Sequence, residues 1–196
     1  MPNSPEIVAN IDGGSRGNPG PAAYGVAIKT AQGEPVTAFA KFLGETTNNF
    51  AEYQGLLAAL EYALNQGYSR LRVLTDSELM ARQISGQYKV RSPDLKPLYD
   101  KARRLIARLE SFSIRHVYRE QNREADRLAN KAMDDAEKGT LPHDPPPPAA
   151  IAANSPSAVP KPRPVVATYH DGVLHPHTQL PLFDGEEVEL EIRRKK

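Results

Sequence analysis

Four carboxylates, each set in a different kind of local sequence, are the groups in this chain best placed to do chemistry: Asp12, Glu52, Asp76 and Asp126. Asp12 follows the apolar run Ile7-Val8-Ala9-Asn10-Ile11 and precedes Gly13-Gly14-Ser15-Arg16-Gly17-Asn18-Pro19-Gly20-Pro21. Glu52 lies near the start of a helical stretch, four residues before Leu56 and eight before Leu60, on the face that otherwise reads as buried. Asp76 ends the run Leu71-Arg72-Val73-Leu74-Thr75, and Asp126 falls in a later helical stretch. Each has a plain structural explanation. Glu52 suits the positive end of a helix, Asp76 could cap the helix that follows, and Asp12 could shape a turn before its glycines. Asp126 could be a first-turn acid beside Arg123 and Arg127. Those explanations do not say why two adjacent parallel strands both end in Asp, at the edge where α/β folds bind ligands. Acidic groups at strand ends and on apolar faces are costly without a cation. Convergence on divalent metal removes that cost.

The elements that must position these groups can be read from periodicity. Ile7, Ala9 and Ile11 alternate with Val8, Asn10 and Asp12, a strand pattern expected to stop at the Gly13-Gly14 pair. Tyr24–Ile28 and Val36–Leu43 make two more strands around the Gln32-Gly33-Glu34-Pro35 turn, completing an antiparallel meander. From Asn49 to Gln66 the period becomes helical, with Gly67 as the stop. Leu71–Thr75 is a fourth strand, reached through a helix and so expected to run parallel to the first. Helices are expected over Glu78–Ile84, Leu95–Glu110 and Arg123–Glu137, with a fifth strand over Phe112–Tyr118. This order argues for an α/β mixed sheet with helices packed on it.

Composition sets outer bounds. Residues 1–138 carry 19 Lys+Arg against 17 Asp+Glu; with the four candidate ligands set aside the comparison is 19 against 13. A moderately basic surface around an acidic centre fits a polyanion held by bound metal, and charge alone fits an ordinary solvated surface as well. The chain has no Cys, which excludes disulfides, zinc thiolates and thiol catalysis. No apolar run approaches the ~18 residues of a membrane span, and the N-terminus lacks a basic region followed by an apolar core. A soluble, cytoplasmic protein with no membrane partner is the expectation.

The organisation breaks after the last helix. Leu141–Pro164 holds nine prolines among Ala and Ser, a composition that favours extended polyproline II over a core. The expected division is a catalytic domain over 1–138, a linker over 139–164 and a small β module over 165–196. That module has strand-like runs at Val165–Tyr169 and Glu187–Ile192, and Asp171-Gly172 is a hairpin signal. About thirty residues are too few for an independent core. Pairing with a second copy, or docking, is therefore expected.

Four segments carry a family resemblance: Asp12–Pro21, Thr47-Asn48-Asn49-Phe50-Ala51-Glu52, Leu74-Thr75-Asp76-Ser77 and Asn122-Arg123-Glu124-Ala125-Asp126. In order and spacing they resemble the motifs of type 1 ribonuclease H, over roughly residues 6–135. The resemblance implies a ribonuclease H-like fold, a five-stranded mixed sheet in order 3-2-1-4-5 flanked by helices. It implies endonucleolytic cutting of the RNA strand of RNA–DNA hybrids with two Mg²⁺ or Mn²⁺ ions, leaving 5′-phosphate and 3′-hydroxyl ends. By the same resemblance Asp12 would bridge the metals, joined by Glu52, Asp76 and Asp126. The chemistry suits the residues, because two-metal phosphodiester hydrolysis needs hard oxygen ligands and no soft ones. Telling RNA from DNA requires hydrogen bonds to a 2′-hydroxyl. Asn18, Asn48 and Asn49 are the matching minor-groove candidates, with Glu52 accepting from the 2′-hydroxyl near the cut. Thr47 and Asn122 match the family's pocket for a DNA phosphate. Turn and cap chemistry would explain the same amides.

Three departures from the family pattern bear on function. The basic, Trp-containing protrusion of many bacterial members is missing; Gly86–Pro97 is short and carries only Lys89, Arg91 and Lys96. The Gly- and His-bearing loop before the last motif is also missing, and Arg119 is the candidate to take over its part in product release. Glu45 stands where some members place a basic residue beside the phosphate pocket. This shortened pattern resembles the archaeal-like branch, some members of which also cut double-stranded RNA. The tail, through Ala167–Pro176 and Leu180–Val188, resembles small antitoxin-like β domains that tend to dimerise. Its His170, His175 and His177 read as surface histidines rather than a metal site. A rival to the enzyme is a catalytically weak, metal- and nucleic-acid-binding adaptor acting through that module; all four carboxylates being intact speaks for the enzyme.

Overall fold

The computed structural model describes residues 5–139 and the strand residues 167–170 and 173–176. The chain divides into two units, Met1–Ile151 and Ala152–Lys196. In the first, strands β1 (Glu6–Ser15), β2 (Gly20–Thr30) and β3 (Pro35–Thr46) form the meander, followed by helix α1 (Asn48–Asn65) and strand β4 (Arg70–Thr75). Helices α2 (Glu78–Ile84) and α3 (Lys96–Ile106) lead to strand β5 (Ser111–His116). A 3-10 turn, Arg119–Gln121, and helix α4 (Arg123–Glu137) complete it. The sheet has five strands in order β3-β2-β1-β4-β5. β1 pairs antiparallel with β2 and parallel with β4, and β5 runs parallel to β4. This is the mixed sheet expected from the sequence.

Burial follows which faces are covered. β1 and β4 alternate buried with half-buried residues, whereas β2 is buried almost continuously from Ala22 to Ile28. A strand reads that way when helices lie on both of its faces. On one face Ile7, Ala9, Ile11, Val26 and Val73 pack against Leu56, Leu60 and Ile84 in the main core. Each such aliphatic side chain contributes about 1.5–3 kcal/mol on burial. On the other face α4 buries mostly small residues, Ala125, Ala129 and Ala132, beside the larger Met133. Small side chains there let two backbones approach closely.

Two glycines mark those approaches. β1 does not stop at the glycine pair as its sequence pattern suggested but runs through Gly13 and Gly14 to Ser15. The reason is packing, not a turn: a Cβ on Gly13 would lie 2.2 Å from the Glu52 nitrogen and 2.4 Å from the Ala51 carbonyl carbon. On the opposite face, a Cβ on Gly25 would lie 2.2 Å from the Ala125 oxygen and 2.8 Å from the Ala129 nitrogen. Side chains are excluded where α1 and α4 press on the sheet.

Other expected boundaries shift modestly. The helix expected to reach Glu110 ends at Ile106, and its basic last turn with Arg103 and Arg104 suits a helix C-terminus. The fifth strand stops at His116, so Tyr118 falls outside it, in a short link to α4 that contains the 3-10 turn. In the second unit, β6 (Ala167–His170) and β7 (Val173–Pro176) pair antiparallel; Asp171-Gly172, read as a hairpin signal, lies outside the described residues. The proline-rich stretch, His177 and the Glu187–Ile192 run lie outside the described residues.

Candidate active site

The four acidic residues come from four elements that end at one edge of the sheet. Asp12 sits on β1 opposite Gly25 of β2, on the face that α4 covers. Thr75, the last residue of β4, is in parallel register with Ile11, so Asp12 and Asp76 continue two neighbouring strands side by side. Glu52 enters from the N-terminal part of α1, whose backbone rests on Gly13. Asp126 lies in the first turn of α4, next to the Ala125 that rests on Gly25. The two close helix–strand approaches thus carry Glu52 and Asp126 to the two Asp-bearing strand ends.

Electrostatics shows that these groups share one space. Burial pushes the Asp12 carboxyl up to about 8, helped by the charges of Asp76, Asp126 and Glu52, and Asp12 is within hydrogen-bonding reach of Asp76. Burial pushes Glu52 up to about 7, reinforced by Asp76 and opposed by hydrogen bonds from Ser77 and Asn48. Such crowding of buried carboxylates is unfavourable in their charged form and is relieved by a cation. All-oxygen donors fit Mg²⁺ or Mn²⁺. Among the described residues, no group of three or more acidic or histidine side chains is arranged as a ready metal cage. The reason is visible in their partners. Asp126 Oδ1 accepts from Arg119 at 2.6 Å. Glu52 Oε1 accepts from Asn48 Nδ2 at 3.0 Å, and its Oε2 accepts from Ser77 Oγ.

The substrate-binding candidates divide into two groups. Asn18 Oδ1 accepts from the Asn48 backbone N–H at 3.3 Å, joining the loop after β1 to the start of α1. Asn49 is half-buried beside them. Asn18 and Asn48 therefore meet near Glu52, with Asn49 next along the helix. Thr47 is the N-cap of α1, its Oγ1 accepting from Phe50 N at 3.3 Å. Arg119 has a side chain 71% exposed and holds Asp126.

Asn122 sits apart from the solvent-facing candidates. It is only 1% exposed. Its Nδ2 donates to Ile11 O at 2.9 Å and Asp76 Oδ1 at 3.3 Å, and its Oδ1 accepts from Asn10 Nδ2 at 3.2 Å. In this structure the amide's hydrogen bonds are all made inside the protein.

Two contributors escaped the sequence reading. Ser77 was legible only as the residue after Asp76, yet it caps α2 by accepting from Met80 N while its hydroxyl donates to Glu52. Asn10 read as one more strand residue. Its signal was position: it stands two residues before Asp12, hence on the same strand face.

Comparison with known proteins identifies the family. The family model described as reverse transcriptase-like matches residues 10–132. The bifunctional protein Rv2228c of Mycobacterium tuberculosis is 44% identical over 154 residues, 78% of this chain but 42% of that protein. The chain thus spans less than half the length of that relative. Ribonuclease HI of Halobacterium salinarum is 43% identical over 130 residues, 66% of this chain and 65% of that protein. Among solved structures, LC11-RNase H1 in complex with an RNA/DNA hybrid superposes with a TM-score of 0.64 at 40% identity, covering 67% of this chain and 99% of that one. By the family match across most of its first unit, by strand order and by these relatives, the chain belongs to the reverse transcriptase-like family, in its type 1 ribonuclease H branch.

Proposed function

We propose that residues 1–138 form an endoribonuclease domain that hydrolyses the RNA strand of RNA–DNA hybrids, leaving 5′-phosphate and 3′-hydroxyl ends. The observation that carries this is the meeting of Asp12, Glu52, Asp76 and Asp126 from four elements, with Asp12 held near 8 by burial and by its three acidic neighbours. Asp12 and Asp76, with Glu52 and Asp126, would hold two Mg²⁺ or Mn²⁺ ions. When bound, such ions activate water for in-line attack and stabilise the departing 3′-oxygen.

The protein's own groups do the rest. Glu52 lies between its Asn48 and Ser77 donors and accepts from a 2′-hydroxyl near the cut, which a deoxyribose lacks. Asn18, Asn48 and Asn49 line the approach to it as minor-groove contacts. Arg119, exposed and paired with Asp126, is suited to exchange that carboxylate for a phosphate during product release. Residues 139–164 serve as linker, and 165–196 pair two chains into a homodimer. A cytoplasmic setting suits this reading; among the described residues no helix is long and apolar enough to cross a membrane.

The test is a cleavage assay on an RNA–DNA hybrid with wild type and Asp76→Asn, with and without Mg²⁺ or Mn²⁺, and with double-stranded RNA as a second substrate. Metal-dependent cutting by wild type and its loss in the variant are expected. Wild-type rates from Asp76→Asn would overturn the metal assignment, and cutting of double-stranded RNA would widen the substrate class.

A further inference from the structure

Asn122 occupies the N-cap of α4, the position at which Asn is among the most favoured residues because its side chain caps a free backbone N–H. Here it makes no cap hydrogen bond. The side chain turns inward instead and is almost wholly buried. A buried amide is tolerated only when its hydrogen-bonding groups are met. Both amide protons go to pure acceptors, the Ile11 carbonyl and the Asp76 carboxylate, which fixes which end of the amide is nitrogen. The remaining oxygen takes the Asn10 amide, which also reaches the Gln121 carbonyl at 3.3 Å. The Asn122 carbonyl in turn accepts from the Asp126 backbone N–H at 3.1 Å. One residue therefore touches the peptide before Asp12, the Asp76 carboxylate and the backbone of Asp126.

We infer that Asn122, braced by Asn10, is a positioning residue that sets the spacing of three of the four acidic groups and does not contact substrate. It forgoes a cap in order to lock the ends of β1 and β4 to the start of α4. Its bond to Asp76 Oδ1 restrains the rotation of that carboxylate. Asn10 orients the amide from the strand below, 112 residues away in sequence. Partners that orient metal ligands in this way typically cost about 10–100-fold in metal affinity or activity when removed.

The inference rests on the proposed hydrolysis only for its kinetic arm. The experiment compares wild type, Asn122→Ala, Asn10→Ala and the double variant in three measurements: calorimetric Mn²⁺ binding, steady-state cleavage of a hybrid at several salt concentrations, and thermal unfolding. Expected for Asn122→Ala is a tenfold or greater loss of Mn²⁺ affinity and of kcat, with KM for the hybrid and its salt dependence unchanged. Asn10→Ala should shift the same quantities less, and the double variant should match Asn122→Ala, because both act through one amide. A raised KM with altered salt slope and unchanged Mn²⁺ binding would instead make Asn122 a phosphate contact. Loss of thermal stability alone, with Mn²⁺ binding and kcat intact, would reduce it to a structural residue. Should Asn122→Ala fail to fold, the half-buried Asn10→Ala carries the same Mn²⁺ readout. A wild type that cuts no hybrid, while Mn²⁺ affinity still falls in the variants, would defeat the proposed activity and leave this inference standing.

Discussion

Asp12 and Glu52 have carboxyls raised from ordinary values of 3.8 and 4.5 to about 8 and about 7. A group whose folded value is raised favours the fold while protonated. Its contribution is complete below the unfolded value, near pH 4, and is lost as pH climbs through the folded value. Without metal, stability should therefore fall between pH 5 and pH 8, by up to about 1.4 kcal/mol per pH unit for each group titrating only in the unfolded chain. Saturating Mg²⁺ or Mn²⁺ should flatten that slope, because a bound cation favours the charged form. Asp12→Asn should flatten it without metal. Denaturant melts across the pH range, read as the difference between wild type and Asp12→Asn, check this; a metal-free difference that does not change with pH would sink it. Asn49 supports a second prediction at this scale. Its half-buried amide takes no hydrogen bond within the described residues, unlike Asn48, and it adjoins the group around Glu52. Asn49→Ala should lower kcat/KM on hybrids about ten- to a hundred-fold, the effect of losing one or two good hydrogen bonds. Calorimetric Mn²⁺ binding should stay within about twofold of wild type, and unchanged cleavage would return Asn49 to a plain helix-start residue.

At the scale of elements, the site depends on how closely two helices lie on the sheet. Gly25 has no room for a methyl group, with the Ala125 oxygen 2.2 Å from where a Cβ would stand. Gly25→Ala must push α4 outward and carry Asp126 with it. Overpacking of this kind typically costs about 1–3 kcal/mol, and backbone cannot swing aside as a side chain can, so the upper end is expected. Activity should fall by more than the unfolded fraction accounts for. Denaturation midpoints together with kcat at a temperature where the variant is fully folded decide it; a folded variant with wild-type kcat would show that Asp126 tolerates the shift. The same close contacts explain what could and could not be read beforehand. The strand order was implied by the family resemblance, whereas the strands, the helices and the acidic strand ends were legible, because alternation, helical period and short links are local properties. The run of β1 through Gly13 and Gly14 was not, because those glycines answer to the Glu52 backbone, which meets them only in the fold. The inward hydrogen bonds of Asn122 were hidden for a similar reason: its partners Asn10, Ile11 and Asp76 lie 46 to 112 residues away.

For the whole molecule, the open question is what the second unit adds to the first. Its β6–β7 pair is a two-stranded hairpin, and such hairpins are marginal in water unless further strands or a packed face support them. The 26 residues of 139–164 are rich in proline, a composition that suits a spacer better than a core. Two such hairpins pairing across a dimer would supply the missing strands. That would tether two nuclease domains, so that once one binds a hybrid the other is held at high effective concentration along the same duplex. The arrangement would offset the short, weakly basic Gly86–Pro97 segment, which offers little of its own to a long duplex. Truncation after Gly139 should therefore leave kcat on short hybrids unchanged while raising the apparent Kd for long hybrids by tenfold or more. Light scattering should give a dimer for the full chain and a monomer for the truncated one at micromolar concentration. A monomeric full chain would rule out pairing through the tail. Equal binding of long hybrids by both forms, with the dimer present, would show that the two domains do not engage one duplex together.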